Sequence, residues 1–314
     1  TFQGGEPTLA GLEFFRELIH LEEKHNRKGV HISNAIQTNG FGLDEAWAAF
    51  FAENHFLVGL SLDGPPELHN RNRTDVQGKD TFNRVMKSVR LLKKHNVAFN
   101  ILCVVTGQNA RSVEKLYRFY RKQNFRWLQF IPCIDPFDRA DGEPCYTLTA
   151  DGYGDFLVRL FDLWFDDLRH GEYISIRHLD NWLSILLGER PEACNMAGCC
   201  SVQFVVEGDG GVYPCDFYVL DEWRLGNIGE TGLADMQNSE TAKRFVRQSL
   251  AVPEECKTCQ WFGLCRNGCR RDRDILPSGV IGQNIYCTAY KKFFSERFRQ
   301  LAQSIECIQR MQYR

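Results

Sequence analysis

The sequence predicts an α/β protein of about two domains, with a cysteine-rich second half. Three observations carry this. Its 314 residues exceed the usual ~100–200 of one domain. Over the first 150 residues, apolar strand-sized runs alternate with amphipathic stretches. Of 13 cysteines, three precede residue 190, nine lie between Cys194 and Cys287, and Cys307 comes last.

Val30–Ile36, Phe56–Leu62, Val97–Val105 and Trp127–Cys133 read as buried strands. Leu12–Glu23, Leu43–Asn54, Phe82–His95 and Ser112–Gln123 read as helices between them, with Asp44 near the start of the second. Repeated β-α units imply a parallel sheet, open or closed into a barrel, with ligands at the C-terminal strand ends. Polar clusters sit at those ends: Gln37–Gly40, Ser61–Gly64, Pro132–Asp135 and the opening Gln3–Pro7. Each alone is an ordinary βα turn; four on one face mark a binding site. Residues 136–150 read as a loop. The stripe Phe156, Leu157, Leu160, Phe161, Trp164, Phe165, Leu168 then predicts a core helix. Val202–Val206 and Gly211–Pro214 flank a Gly-Asp-Gly turn and predict a hairpin. Ala289–Met311 reads as a final helix.

Composition excludes several classes. With 43% hydrophobic and 12% aromatic residues the chain is not disordered. A net charge of −2 gives no reason to expect nucleic acid. No apolar run approaches the ~18 residues that span a bilayer, and no signal peptide is visible. An odd cysteine total after an ordinary α/β half points away from a disulfide scaffold and toward metal or cluster binding in a reducing cytoplasm.

The strongest pattern is Cys256-x2-Cys259-x5-Cys265-x3-Cys269, then Cys287, with Cys194, Cys199, Cys200 and Cys215 upstream. A Cys-x2-Cys turn converges two thiolates on one soft cation or cluster, and these cysteines suffice for two four-ligand sites. Zinc and iron-sulfur both fit that chemistry.

Gly4-Gly5-Glu6-Pro7 resembles the GGE motif of radical S-adenosylmethionine (SAM) enzymes, and the run from Cys200 to Cys287 resembles the seven-cysteine SPASM extension. QGGEPTL (Gln3–Leu9), QTNG (Gln37–Gly40), SLDGP (Ser61–Pro65) and YPCDFYVL (Tyr213–Leu220) narrow the resemblance to anaerobic sulfatase-maturating enzymes, over essentially the whole chain. It implies an N-terminally truncated partial (β/α)6 barrel over 1–173 and a SPASM domain over 174–314. It further implies oxidation of a Cys or Ser in an unfolded sulfatase to Cα-formylglycine without oxygen. SAM, two auxiliary [4Fe-4S] clusters and an electron donor such as flavodoxin or ferredoxin follow from it. Cys194, Cys200, Cys215 and Cys269 correspond to ligands of the first auxiliary cluster; Cys256, Cys259, Cys265 and Cys287 to the second. Asp216 corresponds to the general base. Gly4, Gly5 and Glu6 fall near the SAM amino group, Ser61 and Arg73 at its carboxylate, and Ile134 near its adenosine. Cys103 and Cys133 read as buried strand residues and Cys199 as spare.

The family's third cluster needs a Cys-x3-Cys-x2-Cys motif upstream of GGE, and the sequence opens at Thr1 in mid-motif. The expectation is a fragment inactive alone. The alternatives are another SPASM peptide maturase that forms thioether or carbon-carbon crosslinks, and a zinc-stabilised module without redox chemistry.

Overall fold

The computed structural model describes residues 1–135, 148–273 and 281–312. The expected loop at 136–150 and Cys145 fall mostly outside them. Two compact units emerge: Thr1–Cys133 with Arg159–His178, and Ile134–Val158 with Leu179–Arg314.

The first unit is built on five parallel strands in the order β1-β2-β3-β4-β5. They are β1 (Ala35–Thr38), β2 (Leu57–Ser61), β3 (Phe99–Val105), β4 (Trp127–Pro132) and β5 (Ser175–Ile176). Spatial order follows chain order, so the sheet winds in one direction, as a barrel does, with no switch point. Phe2 continues it, pairing in parallel with Ile36 through Phe2 N–H to the Ala35 carbonyl and Gln37 N–H to the Phe2 carbonyl, both 2.8 Å. β1 starts later than the β-branched run suggests. Val30 and Ile32 are 61% and 43% exposed, and no core face holds them in a strand.

Four helices flank the strands at nearly the expected places: Leu12–His25, Glu45–Glu53, Phe82–Lys94 and Val113–Lys122. Asp44 caps the second by accepting from Trp47 N–H at 3.0 Å. An aromatic core locks the first two to the sheet. Phe15 meets Phe2 and Trp47 edge-on at 5.1 and 5.4 Å, and Phe51 packs 5.4 Å from Phe56. The Ala150–Arg169 helix carries the predicted stripe, with Phe156, Leu160, Phe161 and Trp164 all buried. Its Asp167 accepts from Tyr117 Oη at 2.9 Å and pairs with Arg121 at 2.9 Å.

His69 is fully buried in this unit. Its Nδ1 accepts from Asp63 N–H at 3.2 Å and its Nε2 lies 3.1 Å from Thr81 Oγ1. Thr81 Oγ1 donates onward to the Arg73 carbonyl at 2.6 Å, so the network assigns the imidazole proton to Nε2. A neutral ring satisfies every partner. Burial accordingly pulls its pKa down to about 4. Below the unfolded value of about 6.5 the unfolded chain binds the proton first. Stability is therefore full above pH ~6.5 and falls by on the order of 3 kcal/mol as pH drops toward ~4. Denaturant unfolding between pH 7 and 4.5 reads this directly. A profile of equal slope in wild type and His69→Gln would contradict it.

The second unit contains the expected hairpin, β6 (Val205–Val206) with β7 (Gly211–Tyr213), extended by β8 (Gly226–Asn227) into an antiparallel sheet. The last helix, Cys287–Gln312, packs Phe293 on Trp182 at 4.6 Å. Among the described residues no helix is long and apolar enough to cross a membrane.

Candidate functional site

The C-terminal strand ends of the first unit carry the predicted small-molecule residues. Gly4 and Gly5 adopt φ of 97° and 55°, a region glycine enters without penalty, and a Cβ on either would meet nothing within 4 Å. That turn is open to its surroundings where each side chain would stand. Glu6 bridges the turn to β1: Oε1 accepts from Thr8 Oγ1 (2.6 Å), Thr8 N–H (3.1 Å) and Thr38 Oγ1 (2.7 Å). Oε2 accepts from Asn39 N–H at 2.7 Å. The first role of Glu6 is to tie the Gly-Gly turn to the Gln-Thr-Asn-Gly loop.

Ser61 ends β2, half-buried. Two residues on, Asp63 is 4% exposed and receives Arg73 through Nε at 2.5 Å and NH2 at 3.3 Å. Asp63 Oδ1 also accepts from Val104 N–H at 2.9 Å. A bidentate buried carboxylate fixes the plane of the guanidinium. Asp63 thus positions Arg73, a support that motif reading passed over as part of a turn. Ile134, half-buried, belongs to the second compact unit.

In that second unit the cysteines fall into two groups. Cys269 interacts electrostatically with Cys200 and Cys194, and Cys215 with Cys269. Separately, Cys265 interacts with Cys287, Cys256 and Cys259. Burial pushes Cys265 and Cys269 up to about 12 and raises Cys200, Cys215, Cys256 and Cys287 too. Thiols so placed stay protonated unless a cationic centre compensates the thiolates. Cys256, Cys259, Cys265 and Cys287 line one pocket, with Trp261, Phe262 and Tyr290 on its walls. Four thiols around a space, backed by aromatic rings, fit a four-thiolate cluster.

A turn divides the groups. Arg266, Asn267 and Gly268 are consecutive left-handed residues with φ of 48°, 63° and 66°, lying between Cys265 of one group and Cys269 of the other. Buried Asn267 holds the turn: its Oδ1 accepts from Asn284 N–H at 3.0 Å and its Nδ2 donates to the Gly282 carbonyl at 3.2 Å. A Cβ on Gly268 would stand 2.2 Å from Asn284 Nδ2, so crowding and φ both demand glycine. The Asn-Gly dipeptide was the available signal. Backbone N–H groups two residues on reach three thiols, Phe217 to Cys215, Asn267 to Cys265 and Arg271 to Cys269 (3.4 Å).

Asp216 opens a 3-10 turn, Asp216–Tyr218, directly after Cys215. Tyr218, 2% exposed, anchors the turn in an aromatic cluster with Trp223 and Phe245, against which Cys200 and Cys215 pack. The Asp216 carboxylate is exposed, its Oδ1 3.3 Å from Cys215 Sγ. Cys103 is buried in β3, as expected, while Cys133 is half-buried.

Residues 1–120 match the radical SAM superfamily and residues 194–260 the SPASM iron-sulfur cluster-binding domain. A cysteine-type anaerobic sulfatase-maturating enzyme of Clostridium perfringens strain 13 is 50% identical over 300 residues, 96% of this chain and 81% of that protein. The chain belongs to the anaerobic sulfatase-maturating enzymes. It is therefore a radical SAM oxidoreductase with a SPASM domain. The cysteine-type enzyme of Clostridium novyi is 46% identical, covering 96% of this chain and 80% of its own length. The serine-type enzyme of Bacteroides thetaiotaomicron is 34% identical, covering 94% and 74%. A solved structure described as native anSMEcpe with bound AdoMet and Cp18Cys peptide superposes with a TM-score of 0.95 at 49% identity, over 98% of this chain and 85% of that one. Streptococcus suis SuiB bound to precursor peptide SuiA, at 16% identity and a TM-score of 0.59, shares the fold.

Proposed function

We propose that this protein oxidises a cysteine of an unfolded sulfatase to Cα-formylglycine, with its radical SAM module over 1–173 and its SPASM module over 174–314. The observation that supports the reading is that Cys265 neighbours Cys256, Cys259 and Cys287, while Cys269 neighbours Cys194, Cys200 and Cys215, the two sets the family motif implies. Cys194, Cys200, Cys215 and Cys269 would hold one [4Fe-4S] cluster and Cys256, Cys259, Cys265 and Cys287 the other. Complete cysteine ligation suits electron transfer, which needs no open position on the metal. SAM, when bound and given one electron by a reduced [4Fe-4S] cluster, would yield methionine and a 5′-deoxyadenosyl radical that takes a Cβ hydrogen from the target cysteine. With the thiol proton removed, one electron would leave to an auxiliary cluster, and water would convert the thioaldehyde to formylglycine with release of sulfide.

The chain's own residues do the rest. The Gly4 and Gly5 carbonyls and Glu6 Oε2, which has accepting capacity left, would accept from the SAM ammonium. Ser61 and Arg73, the latter held by Asp63, would take its carboxylate. Ile134 would give apolar contact to the adenosine. Asp216 accepts the thiol proton of the target residue. Its turn is fixed at one end by the ligand Cys215 and at the other by buried Tyr218, so the carboxylate keeps its aim. Flavodoxin or ferredoxin as donor, absence of nucleic-acid and membrane partners, and a reducing cytoplasmic location complete the proposal.

Cysteine is named as target because the cysteine-type relatives are 50% and 46% identical and the serine-type ones 34% and 32%. The test incubates the protein encoded by the whole gene, anaerobically, with SAM, reductant and a sulfatase-motif peptide carrying Cys or Ser. Formylglycine in the Cys peptide, at least several-fold faster than in the Ser peptide, is expected. Release of 5′-deoxyadenosine with a crosslinked peptide in place of formylglycine would establish the crosslinking alternative.

A further inference from the structure

Three of the four residues after Cys269 are arginines, and two of them are buried: Arg270 is 3% exposed and Arg273 1%. A guanidinium removed from water is costly unless its surroundings compensate it. Arg270 lies over the rings of Tyr218, Trp223 and Phe245 at 4.8, 4.5 and 4.7 Å. It donates to the Phe245 carbonyl at 3.0 Å and to Gln248 Oε1 at 2.9 Å. This is the aromatic cluster on which Cys200 and Cys215 pack. Arg273 donates to the carbonyls of Cys269 (3.2 Å) and Ser249 (3.1 Å), and Ser249 Oγ accepts from Cys200 N–H at 2.9 Å. Both cations act electrostatically on Cys200.

The carboxylates of Asp216 and Asp272 oppose them from Cys215 and Cys269. The other group has a different setting: its neighbouring cation, Lys291, is solvent-exposed, and Glu255 opposes it. Solvent screens an exposed lysine, whereas a buried guanidinium acts at low dielectric.

We propose that Arg270 and Arg273 raise the reduction potential of the cluster held by Cys194, Cys200, Cys215 and Cys269. Reduction adds one negative charge to a four-thiolate cluster, and fixed buried cations favour the more negative state. The inference rests on the proposed placement of two clusters and deepens it. The two arginines are positioning residues that act through the ligand cysteines.

The test is an EPR-monitored redox titration of this chain after anaerobic reconstitution with iron and sulfide. The signal lost in Cys200→Ala identifies the first cluster. Gln248→Glu sets a carboxylate on the Arg270 guanidinium while leaving the arginine in place. Arg270→Gln and Arg273→Gln remove one charge each, and Arg270→Lys keeps it. The expected result is a shift of the first cluster to more negative potential in Gln248→Glu and both glutamine variants. The second cluster stays in place, and Arg270→Lys lies near wild type. An unshifted first cluster in Gln248→Glu, or equal shifts of both clusters, overturns the inference while leaving two-cluster binding intact. Should Arg270→Gln fail to hold its cluster, Gln248→Glu decides. Wild type without two iron-sulfur signals overturns the two-cluster reading itself, and iron and sulfide analysis registers that failure before any potential is measured.

Discussion

Asp216→Asn in the whole-gene enzyme is expected to keep its full iron and sulfide content while formylglycine formation falls by roughly 10²–10⁴-fold, the usual contribution of a positioned general base. Asparagine matches aspartate in shape, and the Asp216–Tyr218 turn is held by the Tyr218 N–H to Cys215 carbonyl bond at 2.9 Å, which does not involve the side chain. The carboxylate is exposed and its Oδ1 lies 3.3 Å from Cys215 Sγ, so metal content must be read beside the rate. An amide cannot take the proton. The measurement is the rate of the peptide mass shift beside the metal content of the same sample. Unchanged turnover would remove Asp216 from the mechanism; loss of iron would make its role structural.

The second large effect is expected for Cys269→Ala. This residue begins the stretch that returns to the first group after the left-handed turn, and it couples to Cys200, Cys194 and Cys215. Its loss should remove one cluster and about half of the iron, leaving the visible absorbance of the other. Cys265→Ala should remove the complementary half. The Asn267–Asn284 bonds that shape the intervening turn involve neither thiol, so each variant keeps the other group's geometry. Full iron retention in Cys269→Ala would contradict the assignment of cysteines to groups.

Much of the sheet was legible because it rests on long apolar runs. β2, β3 and β4 begin within two residues of where Phe56–Leu62, Val97–Val105 and Trp127–Cys133 place them. β5 was not legible: it is two residues long, and Ser175–Ile176 pair with Trp127 and Leu128 through tertiary placement. Val30–Ile36 misled in the other direction, since β-branched residues with no face to bury remain outside the strand.

At the site, cysteine spacing announced the chemistry, and the family motif supplied a proposed grouping; in the structure Cys265 neighbours Cys256, Cys259 and Cys287, and Cys269 neighbours Cys194, Cys200 and Cys215. What spacing cannot carry is the support. Asp63 reads as a turn residue in Ser-Leu-Asp-Gly until Arg73, ten positions on, closes on it. Arg270 and Arg273, in Cys-Arg-Arg-Asp-Arg, carry no sequence signal of burial. Only the packing of Tyr218, Trp223 and Phe245 shows the first of them buried. Polar residues enter cores through partners distant in sequence, and periodicity holds no record of them.

The central claim, that eight cysteines hold two iron-sulfur clusters, is tested most directly by metal and sulfide analysis of this chain. After anaerobic reconstitution the account predicts about eight irons and eight sulfides per chain with iron-sulfur absorbance, halved together by Cys269→Ala. Stoichiometric zinc with no visible absorbance would contradict it.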